Sequence, residues 1–403
     1  MAATPFGGVM RILFVVSYYK PAYVYGGPVR SVSALAEQLI TLGQDITVFT
    51  TNANGADNLP VPTNKLMAVD GVPVHYFARS PLSPSRFYLS SDLWRACSHH
   101  MRNYDVVYIT ATWTYPFIAA TRAARRHHVP YVIAPRGSFM DWTMRAKWVK
   151  KRLYMQVIER RAMQSAAAIH CTSDMEAEHI SQWQFKAPSV LIPNGLDLQP
   201  YQTLPARGAL RHRLGIPQDA PLTLYVGRLH QLKRITRTVE AFSAVAEALP
   251  DAHLVLVGPD EDGSGEAARA WVETHGLAER VHMPGILTGN ELLQAYADAD
   301  MLVLLSHSEN FGMVVVEAMA AGLPVLLSQN VGLGSSVIQA GAGLVTDADT
   351  PQTEAAWIKL LTSPNQRAAM SIAAKNLVTE QFSLRAVAQQ LLNLFHQVAG
   401  STA

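Results

Sequence analysis

Short apolar runs alternate with helix-like stretches along the first two hundred residues. The run "RILFVVSYY" is followed by a glycine-rich loop and by "SVSALAEQLITLG", whose spacing predicts a helix ending near Gly43. Further apolar runs lie at 45–51, 104–111, 130–135 and 166–173. Runs that are apolar on both faces and separated by helices predict a parallel, doubly wound sheet.

The same alternation restarts after residue 200. Strands are predicted at 221–229, 252–259, 280–285, 300–306 and 323–328. The segment 191–210 is rich in proline and glycine, and it is typical of a linker between two halves. We therefore predict an α/β protein with two Rossmann-like, doubly wound parallel-sheet domains at 1–200 and 201–385. A C-terminal helix at 386–403 is a candidate to pack back on the first domain.

Composition narrows the class of protein. The chain has 403 residues, which suits two domains, and its net charge of +2 gives no reason to expect a nucleic-acid partner. Cys97 and Cys171 have no metal-type spacing, which favours buried thiols in a reducing compartment. No run approaches the roughly 20 apolar residues that span a bilayer. We expect a cytoplasmic protein with a loose leader over residues 1–9.

One carboxylate interrupts the apolar run "HSENFGMVVVEAMAAGLPVLLS" at 307–328. Glu309 precedes the run and Glu317 stands inside it, although carboxylates are rarely buried without a partner. The preceding strand ends near residue 306, so Glu309 is predicted in a loop and Gly312 begins a helix. A helix N-terminus suits phosphate, and Glu317, one turn further in, suits paired sugar hydroxyls. A single Glu would more often lie on a solvated helix face, but the pattern as a whole favours a ligand site.

These residues resemble a known family. "SENFGMVVVEAMAAGLPVL" resembles the E-x7-E signature of retaining, nucleotide-sugar-dependent glycosyltransferases of family 4, which have the GT-B fold. "YYKPAYVYGGPVRSVSALAEQL" resembles the family's Gly-Gly loop and helix, and "LYVGRLHQLKR" resembles its Gly-Arg-x5-Lys loop. The resemblance extends over nearly the whole chain, and it implies two domains facing each other across a ligand cleft.

The resemblance implies a role for each matched residue. Glu309 would bind the hydroxyls of the donor sugar, and Glu317 would bind the ribose. Arg228 and Lys233 would neutralise the diphosphate, where cations stabilise the charge that develops as the leaving group departs. The diphosphate would also be held by the backbone at Phe311, Gly312, Met313 and Val314. For Arg228 or Lys233 taken alone, a surface ion pair would be the commoner explanation.

The first half offers weaker candidates. Gly26 and Gly27 follow the first strand, where they suit either a tight turn or a close approach of the backbone to a ligand. The resemblance implies a loop that closes over the donor phosphates and helps form the acceptor site. Relatives often carry a His where Thr110 or Ala111 stands here, so a His-based proton relay is not expected at that point. Arg136 ends a strand, and it could meet an anionic acceptor or cap local carbonyls. His170 also ends a strand; a structural role is the commoner outcome for such a His.

A basic segment at 144–161 mixes many Lys and Arg residues with Trp and aliphatic residues. It could dock on anionic lipid at the inner face of a membrane, where a lipid-linked acceptor would be presented. The alternative is a helix with one core face and one solvated basic face.

The predicted reaction is transfer of a hexose, with retention, from a nucleotide sugar to an acceptor hydroxyl. UDP-glucose is the first choice of donor, ahead of UDP-galactose and GDP-mannose, and the acceptor is expected to be a lipid-linked saccharide in exopolysaccharide assembly. No cofactor or metal is expected, and "DAD" at 298–300 is interpreted as turn chemistry. Two alternatives stay open: a GT-B-fold nucleotide-sugar epimerase and a non-catalytic sugar-nucleotide-binding subunit.

Overall fold

A computed structural model describes residues 8–84, 86–145 and 148–400. Most of the predicted leader and Lys147 of the basic segment therefore lie outside the described residues. The chain divides into two compact units: residues 1–195 together with 384–403, and residues 196–383. Each unit is a parallel α/β sheet with its own apolar core.

The first unit is built on a sheet with the order β10-β9-β8-β7-β1-β2-β6-β5. Every pairing is parallel except that of β5 with β6. A small antiparallel pair, β3 and β4, stands apart. The strands are β1 Arg11–Val15, β2 Asp45–Thr51, β3 Ala53–Asn54, β4 Asp57–Asn58, β5 Leu66–Val69, β6 Val72–Phe77, β7 Val106–Thr110, β8 Tyr131–Ala134, β9 Ala168–Cys171 and β10 Ser189–Leu191.

Helices cover both faces of this sheet, as the two core clusters on its opposite sides require. They are α1 Gly27–Thr41, α2 Ser91–His100, α3 Tyr115–His127, α4 Asp141–Arg145, α5 Trp148–Tyr154, α6 Arg160–Gln164, α7 Asp174–Ser181 and the last helix, α16 Leu384–Gly400. A π-helical turn, Met155–Glu159, joins α5 to α6. Cys97 and Cys171 are buried free thiols.

The second unit has a parallel sheet with the order β13-β12-β11-β14-β15-β16. Its strands are β11 Leu222–Val226, β12 His253–Val257, β13 Val281–Gly285, β14 Met301–Leu304, β15 Val325–Ser328 and β16 Gly343–Thr346. Its helices are α8 Ala209–Leu214, α9 Ile235–Ala248, α10 Ser264–Thr274, α11 Asn290–Asp298, α12 Met313–Ala320, α13 Gly334–Ala340, α14 Gln352–Thr362 and α15 Pro364–Leu377.

Buried charges stabilise the start of the second unit. Asp298 accepts hydrogen bonds from the backbone N–H groups of Gly208, Leu210 and Arg211, so it caps α8 from a distant part of the chain. Asp300 accepts from the buried guanidinium of Arg211 at 3.2 Å. The aspartates of the "DAD" motif therefore hold α8, a segment about 90 residues away, and do not form the local turn that was predicted for them.

Candidate active site

The strand order of the second sheet reverses between β11 and β14. From β11 the chain proceeds to β12 and β13 on one side, and from β14 it proceeds to β15 and β16 on the other. Adjacent loops diverge at such a switch point and leave a crevice at the carboxyl ends of the strands, where ligands bind in this kind of sheet. The predicted donor-side residues of the second unit follow β11 and β14.

The loop after β11 carries both predicted cations. Arg228 follows the strand directly, and Lys233 ends a 3-10 turn, Gln231–Lys233, that leads into α9. This loop is tied to the loop after β14, because the backbone N–H of His307 donates to the carbonyl of Leu232 at 2.8 Å. The two sides of the switch point are thus joined by main-chain hydrogen bonding.

Lys233 and Glu309 form an ion pair across the switch point. The Lys233 ammonium donates to Oε2 of Glu309, and the two side chains are only 15% and 21% exposed. The backbone of Glu309 is fixed on both sides, since its N–H donates to Asn330 at 3.0 Å and its carbonyl accepts from Gly332 at 2.9 Å. A carboxylate and an ammonium therefore lie side by side. In such a pair the carboxylate suits a sugar hydroxyl, and the ammonium suits a phosphate attached to the same sugar.

The N-terminus of α12 lies beside this pair. Gly312 caps the helix with φ +93°, and a Cβ at that position would lie 3.4 Å from Cγ of Glu309, so glycine suits the turn best. The first N–H groups of a helix have no intrahelical acceptor and carry partial positive charge. Phe311, by contrast, directs its ring into the core, against Phe382. The backbone from Phe311 to Val314 thus suits an anion.

Glu317 is half-buried in α12 and has a specific partner. The hydroxyl of Tyr296 donates to Oε2 of Glu317 at 2.7 Å. Tyr296 is fully buried, and burial together with the nearby carboxylate raises its pKa well above the ordinary value. The hydroxyl therefore stays protonated and orients the carboxylate. Tyr296 was not predicted, because it lies on α11, 21 residues before Glu317.

Arg228 also has a partner that sequence reasoning missed. Its Nη1 donates to both carboxylate oxygens of Glu261, at 2.8 and 2.5 Å. Glu261 lies in the acidic loop after β12, the strand next to β11. The available signal was "PDEDG" at 259–263, an acidic run directly past a strand.

In the first unit, Gly26 and Gly27 stand where β1 leads through a 3-10 turn into α1. Gly26 is the residue before the first turn of this helix, and Gly27 is its first residue. Nothing lies within 4 Å of a Cβ built at either position, so the backbone there is open to approach. Nearby, the rings of Tyr18 and Tyr25 stack at 3.8 Å.

Arg136 and His170 belong to one buried chain of hydrogen bonds. Arg136 donates to Asn194 and, at 2.9 Å, to the hydroxyl of Tyr108, which in turn donates to Nδ1 of His170 at 2.8 Å. Nε2 of His170 donates to the carbonyl of Ile192 at 2.7 Å. Burial, followed by the nearby Arg136 charge, lowers the pKa of His170 to about 3.

This placement removes His170 from the candidate acceptor site. Both ring nitrogens are engaged and the side chain is buried, so it stays neutral and cannot touch an acceptor. Arg136 is held by the side chains of Asn194 and Tyr108 rather than by local backbone carbonyls, so it does not cap carbonyls as the alternative from the sequence supposed.

Thr110 ends β7 and is buried. The loop that follows is strained, since Ala111 and Trp113 both have positive φ, at +64° and +65°. The N–H of Trp113 donates to Oε1 of Glu159 at 2.7 Å. Glu159 ends the π-helical turn, where a conformation of this kind often marks a functional position. This carboxyl was not singled out from the sequence.

Among the residues that the structure describes, no group of three or more His, Cys, Asp or Glu side chains is arranged to hold a metal ion. Within the same residues, none of the helices has both the length and the apolar character needed to cross a membrane.

Two sequence profiles of known families match the chain, one in each unit. The profile described as "Glycosyl transferase 4-like domain" matches residues 26–195, and the profile "Glycosyl transferases group 1" matches residues 207–377. The chain belongs to the GT-B glycosyltransferases of the family 4-like type. The predicted fold class and enzyme class are thereby confirmed.

Relatives of this glycosyltransferase cover most of its length. The D-inositol 3-phosphate glycosyltransferase of Kineococcus radiotolerans is 26% identical and aligns over 92% of this chain and 90% of its own. The GDP-mannose:cellobiosyl-diphosphopolyprenol alpha-mannosyltransferase of Xanthomonas oryzae pv. oryzae is 25% identical over 87% of each chain. The crystal structure of Anabaena HepE in complex with UDP-glucose shares the fold, with a TM-score of 0.72 and 20% identity, and covers 96% of this chain and 100% of its own.

Proposed function

We propose that this glycosyltransferase moves a hexose, with retained anomeric configuration, from a nucleotide sugar to an acceptor hydroxyl. The observation that carries the proposal is the Lys233–Glu309 pair beside the N-terminus of α12, at the switch point of the second sheet. The cation and the helix N-terminus suit a diphosphate, and the carboxylate suits the hydroxyls of the sugar attached to it.

In this reaction the bond from the sugar C1 to the diphosphate oxygen breaks, and a bond from C1 to the acceptor oxygen forms on the same face. The acceptor proton passes to the leaving phosphate oxygen, so the charges balance without a protein base. Arg228 and Lys233 stabilise the negative charge that grows on the diphosphate. Glu317, oriented by Tyr296, takes the ribose hydroxyls.

UDP-glucose is the first choice of donor, supported by the complex that Anabaena HepE forms. GDP-mannose is the second candidate, because a relative from Xanthomonas is named for that donor. The same name includes a diphosphopolyprenol acceptor, which supports a lipid-linked saccharide and a role in exopolysaccharide assembly. An epimerase, the rival enzyme class, would release or isomerise sugar from the donor alone.

The test is calorimetry with UDP-glucose, UDP-galactose and GDP-mannose, followed by product analysis with and without a saccharide acceptor. We expect binding of one nucleotide class and sugar transfer only when an acceptor is present. Arg228→Ala and Lys233→Ala should each lower turnover by roughly 10²-fold, as loss of one charge-stabilising donor does. Isomerised sugar in the absence of acceptor, or near-wild-type turnover in both variants, would contradict the proposal.

Contact with an anionic membrane surface is a second part of the proposal. Val149, Leu153 and Val157 recur at intervals of four residues, and they are 59%, 64% and 75% exposed. We call these three residues the apolar ridge. The same segment has a core face, since Met155 is buried, and it also has an exposed apolar side.

A basic hollow lies next to the apolar ridge. It has a volume of about 770 Å³, and its charged lining residues are all arginines: Arg122, Arg125, Arg126 and Arg161. Apolar side chains flanked by basic ones are what a surface that lies in the headgroup region of anionic lipid requires. A lipid-linked acceptor would be presented at that surface.

A further inference from the structure

Glu261 forms an ion pair with the Arg228 guanidinium, which is the group that the proposed diphosphate would bind. Both of its carboxylate oxygens accept from the same nitrogen, Nη1 of Arg228, at 2.8 and 2.5 Å. The two side chains are 58% and 44% exposed, so the pair is solvated rather than part of the core. Arg228 therefore has a carboxylate counter-charge at the edge of the donor site.

The backbone that carries Glu261 is hydrogen-bonded to the loop that carries Arg228. The N–H of Glu261 donates to the carbonyl of Leu229 at 3.1 Å, and Leu229 donates to Pro259 at 2.8 Å. At the base of the two loops, a Cβ on Gly258 would lie 1.8 Å from the carbonyl oxygen of Gly227, so only glycine permits this approach.

The acidic residues on either side of Glu261 have different tasks. Asp260 accepts from the N–H groups of Gly263 and Glu266, at 2.9 Å each, and thereby caps α10. Asp262 accepts from the N–H of Gln231 at 3.0 Å. Both aspartates hold loop backbone, whereas the side chain of Glu261 is committed to Arg228. The two aspartates therefore have a structural role in the loop, whereas Glu261 contacts a residue of the proposed donor site.

The Arg228–Glu261 ion pair is weak enough for an anionic ligand to displace Glu261 from the guanidinium. An exposed ion pair is weak and is screened by salt. It is strong enough to bias the arginine toward one orientation, and a diphosphate with at least two negative charges can displace the carboxylate. Binding of the diphosphate to Arg228 therefore requires Glu261 to release the guanidinium, and this exchange costs part of the binding free energy.

We infer that Glu261 is a positioning residue: it holds the Arg228 guanidinium at the strand end, competes with the donor diphosphate for it, and so lowers nucleotide affinity and favours release of the nucleotide product. This inference rests on the proposed function, since it requires a diphosphate at Arg228.

The test is titration calorimetry of UDP, and of GDP in parallel, with wild type, Glu261→Gln and Glu261→Asp. Glu261→Gln should bind the nucleotide about two- to fivefold more tightly, the range that loss of an exposed charge pair allows. Glu261→Asp keeps the charge and should stay near wild type. The matched control is Glu266→Gln, which removes an exposed carboxylate from the first turn of α10 and should leave the affinity unchanged.

A double-mutant cycle isolates the route through Arg228. In the Arg228→Ala background the Glu261→Gln change should lose most of its effect, because the competition no longer exists. Weaker or equal nucleotide binding by Glu261→Gln would overturn the inference, and so would an undiminished gain in the Arg228→Ala background. If wild type binds neither nucleotide, the proposed function itself fails, which is a different result from a nucleotide-binding wild type whose affinity is insensitive to Glu261.

Discussion

The carboxylate of Glu317 serves two neighbours in the proposed complex. The buried Tyr296 hydroxyl donates to one oxygen, and the ribose hydroxyls would use the same group. Alanine at this position would leave the Tyr296 hydroxyl without its acceptor and would lower the free energy of unfolding by about 1–3 kcal/mol. An effect on ligand binding could then not be separated from an effect on stability. Glutamine keeps one oxygen for Tyr296 and removes the charge, so Glu317→Gln is the cleaner probe.

Glu317→Gln should weaken UDP binding by about tenfold, since a hydrogen bond to a charged group contributes roughly 1.5–3 kcal/mol and part of it survives in the amide. Glu309→Gln should bind UDP as well as wild type or more tightly, because Lys233 is freed for the diphosphate, while turnover falls. Calorimetry with UDP and a turnover assay with UDP-glucose measure the two effects. Unchanged UDP affinity in Glu317→Gln would show that this carboxylate does not touch the ribose.

Sequence spacing located some of the candidate site residues and not others. Glu309 and Glu317 stand in one segment that resembles the family signature, and Lys233 matches the family's basic position in a loop after a strand. The resemblance, together with the position of both segments at strand ends, predicted that these residues lie in one site. Glu261 and Tyr296 come from neighbouring elements, and their contacts depend on strand order and helix rotation. His170 was a candidate for the acceptor side, with a structural role as the commoner outcome, and burial and two hydrogen bonds give it that structural role.

At the scale of elements, the segment from α5 through the π-helical turn to α6 has an unusual surface. Its apolar ridge faces solvent, and the arginine-lined hollow lies beside it. A contiguous exposed apolar surface with a basic rim marks an interaction site more often than a free surface. Its chemistry matches anionic lipid better than a neutral partner.

Replacing Leu153 and Val157 together by Ser should weaken binding to phosphatidylglycerol vesicles severalfold or more, because both side chains leave the apolar phase. Wild-type binding should fall steeply with salt, since exposed charges are screened within about 8 Å at physiological ionic strength. The control is Ile372→Ser, an exposed apolar residue on α15 in the other unit. Vesicle co-sedimentation that is insensitive to salt, or equal for all variants, would contradict membrane docking.

The strands show which elements could be predicted from the pattern of apolar residues in the sequence and which could not. Each predicted apolar run contains a strand, and the structure shortens several of them at the carboxyl end, where the chain turns into loops that carry the site. Most of the missed strands are short or at an edge, such as β5, whose residues are largely exposed, and β16, which begins at a glycine; β6, Val72–Phe77, is internal and was missed as well. Edge strands lack the two-sided apolar pattern, so their pairing, rather than their sequence, defines them.

At the scale of the whole molecule, the two ends of the chain complete one unit. The 17-residue α16 buries Leu391 and Phe395 in the same core cluster as Phe14 of β1 and Tyr108 of β7. The chain leaves the first unit after Gly195 and returns at Leu384. A Cβ on Gly195 would lie 2.8 Å from Cα of Leu384, so the two crossings touch. The core of the first unit therefore includes residues that follow the second unit in the sequence.

Glu159 gives this unit a pH-dependent stability. Its side chain is fully buried. Burial raises the pKa of this carboxyl from 4.5 to about 8, against the opposing effects of the Trp113 N–H and the Tyr154 hydroxyl. The folded unit thus keeps a proton that the unfolded chain releases above its own pKa. The stabilising effect of this proton is complete below pH 4.5 and is lost as the pH rises to 8.

Glu159→Gln should remove that dependence, because the amide keeps an oxygen for the Trp113 N–H and does not titrate. The free energy of unfolding of the variant, relative to wild type, should rise by about 1.4 kcal/mol for each pH unit between 4.5 and 8, and level off above. Scanning calorimetry of the first unit's transition at pH 5, 6, 7 and 8 measures it. Glu178→Gln, an exposed carboxylate on α7, is the control and should track wild type at every pH. A constant difference between Glu159→Gln and wild type would mean that Glu159 is ionised in the folded protein, with its charge stabilised by the strained loop after β7.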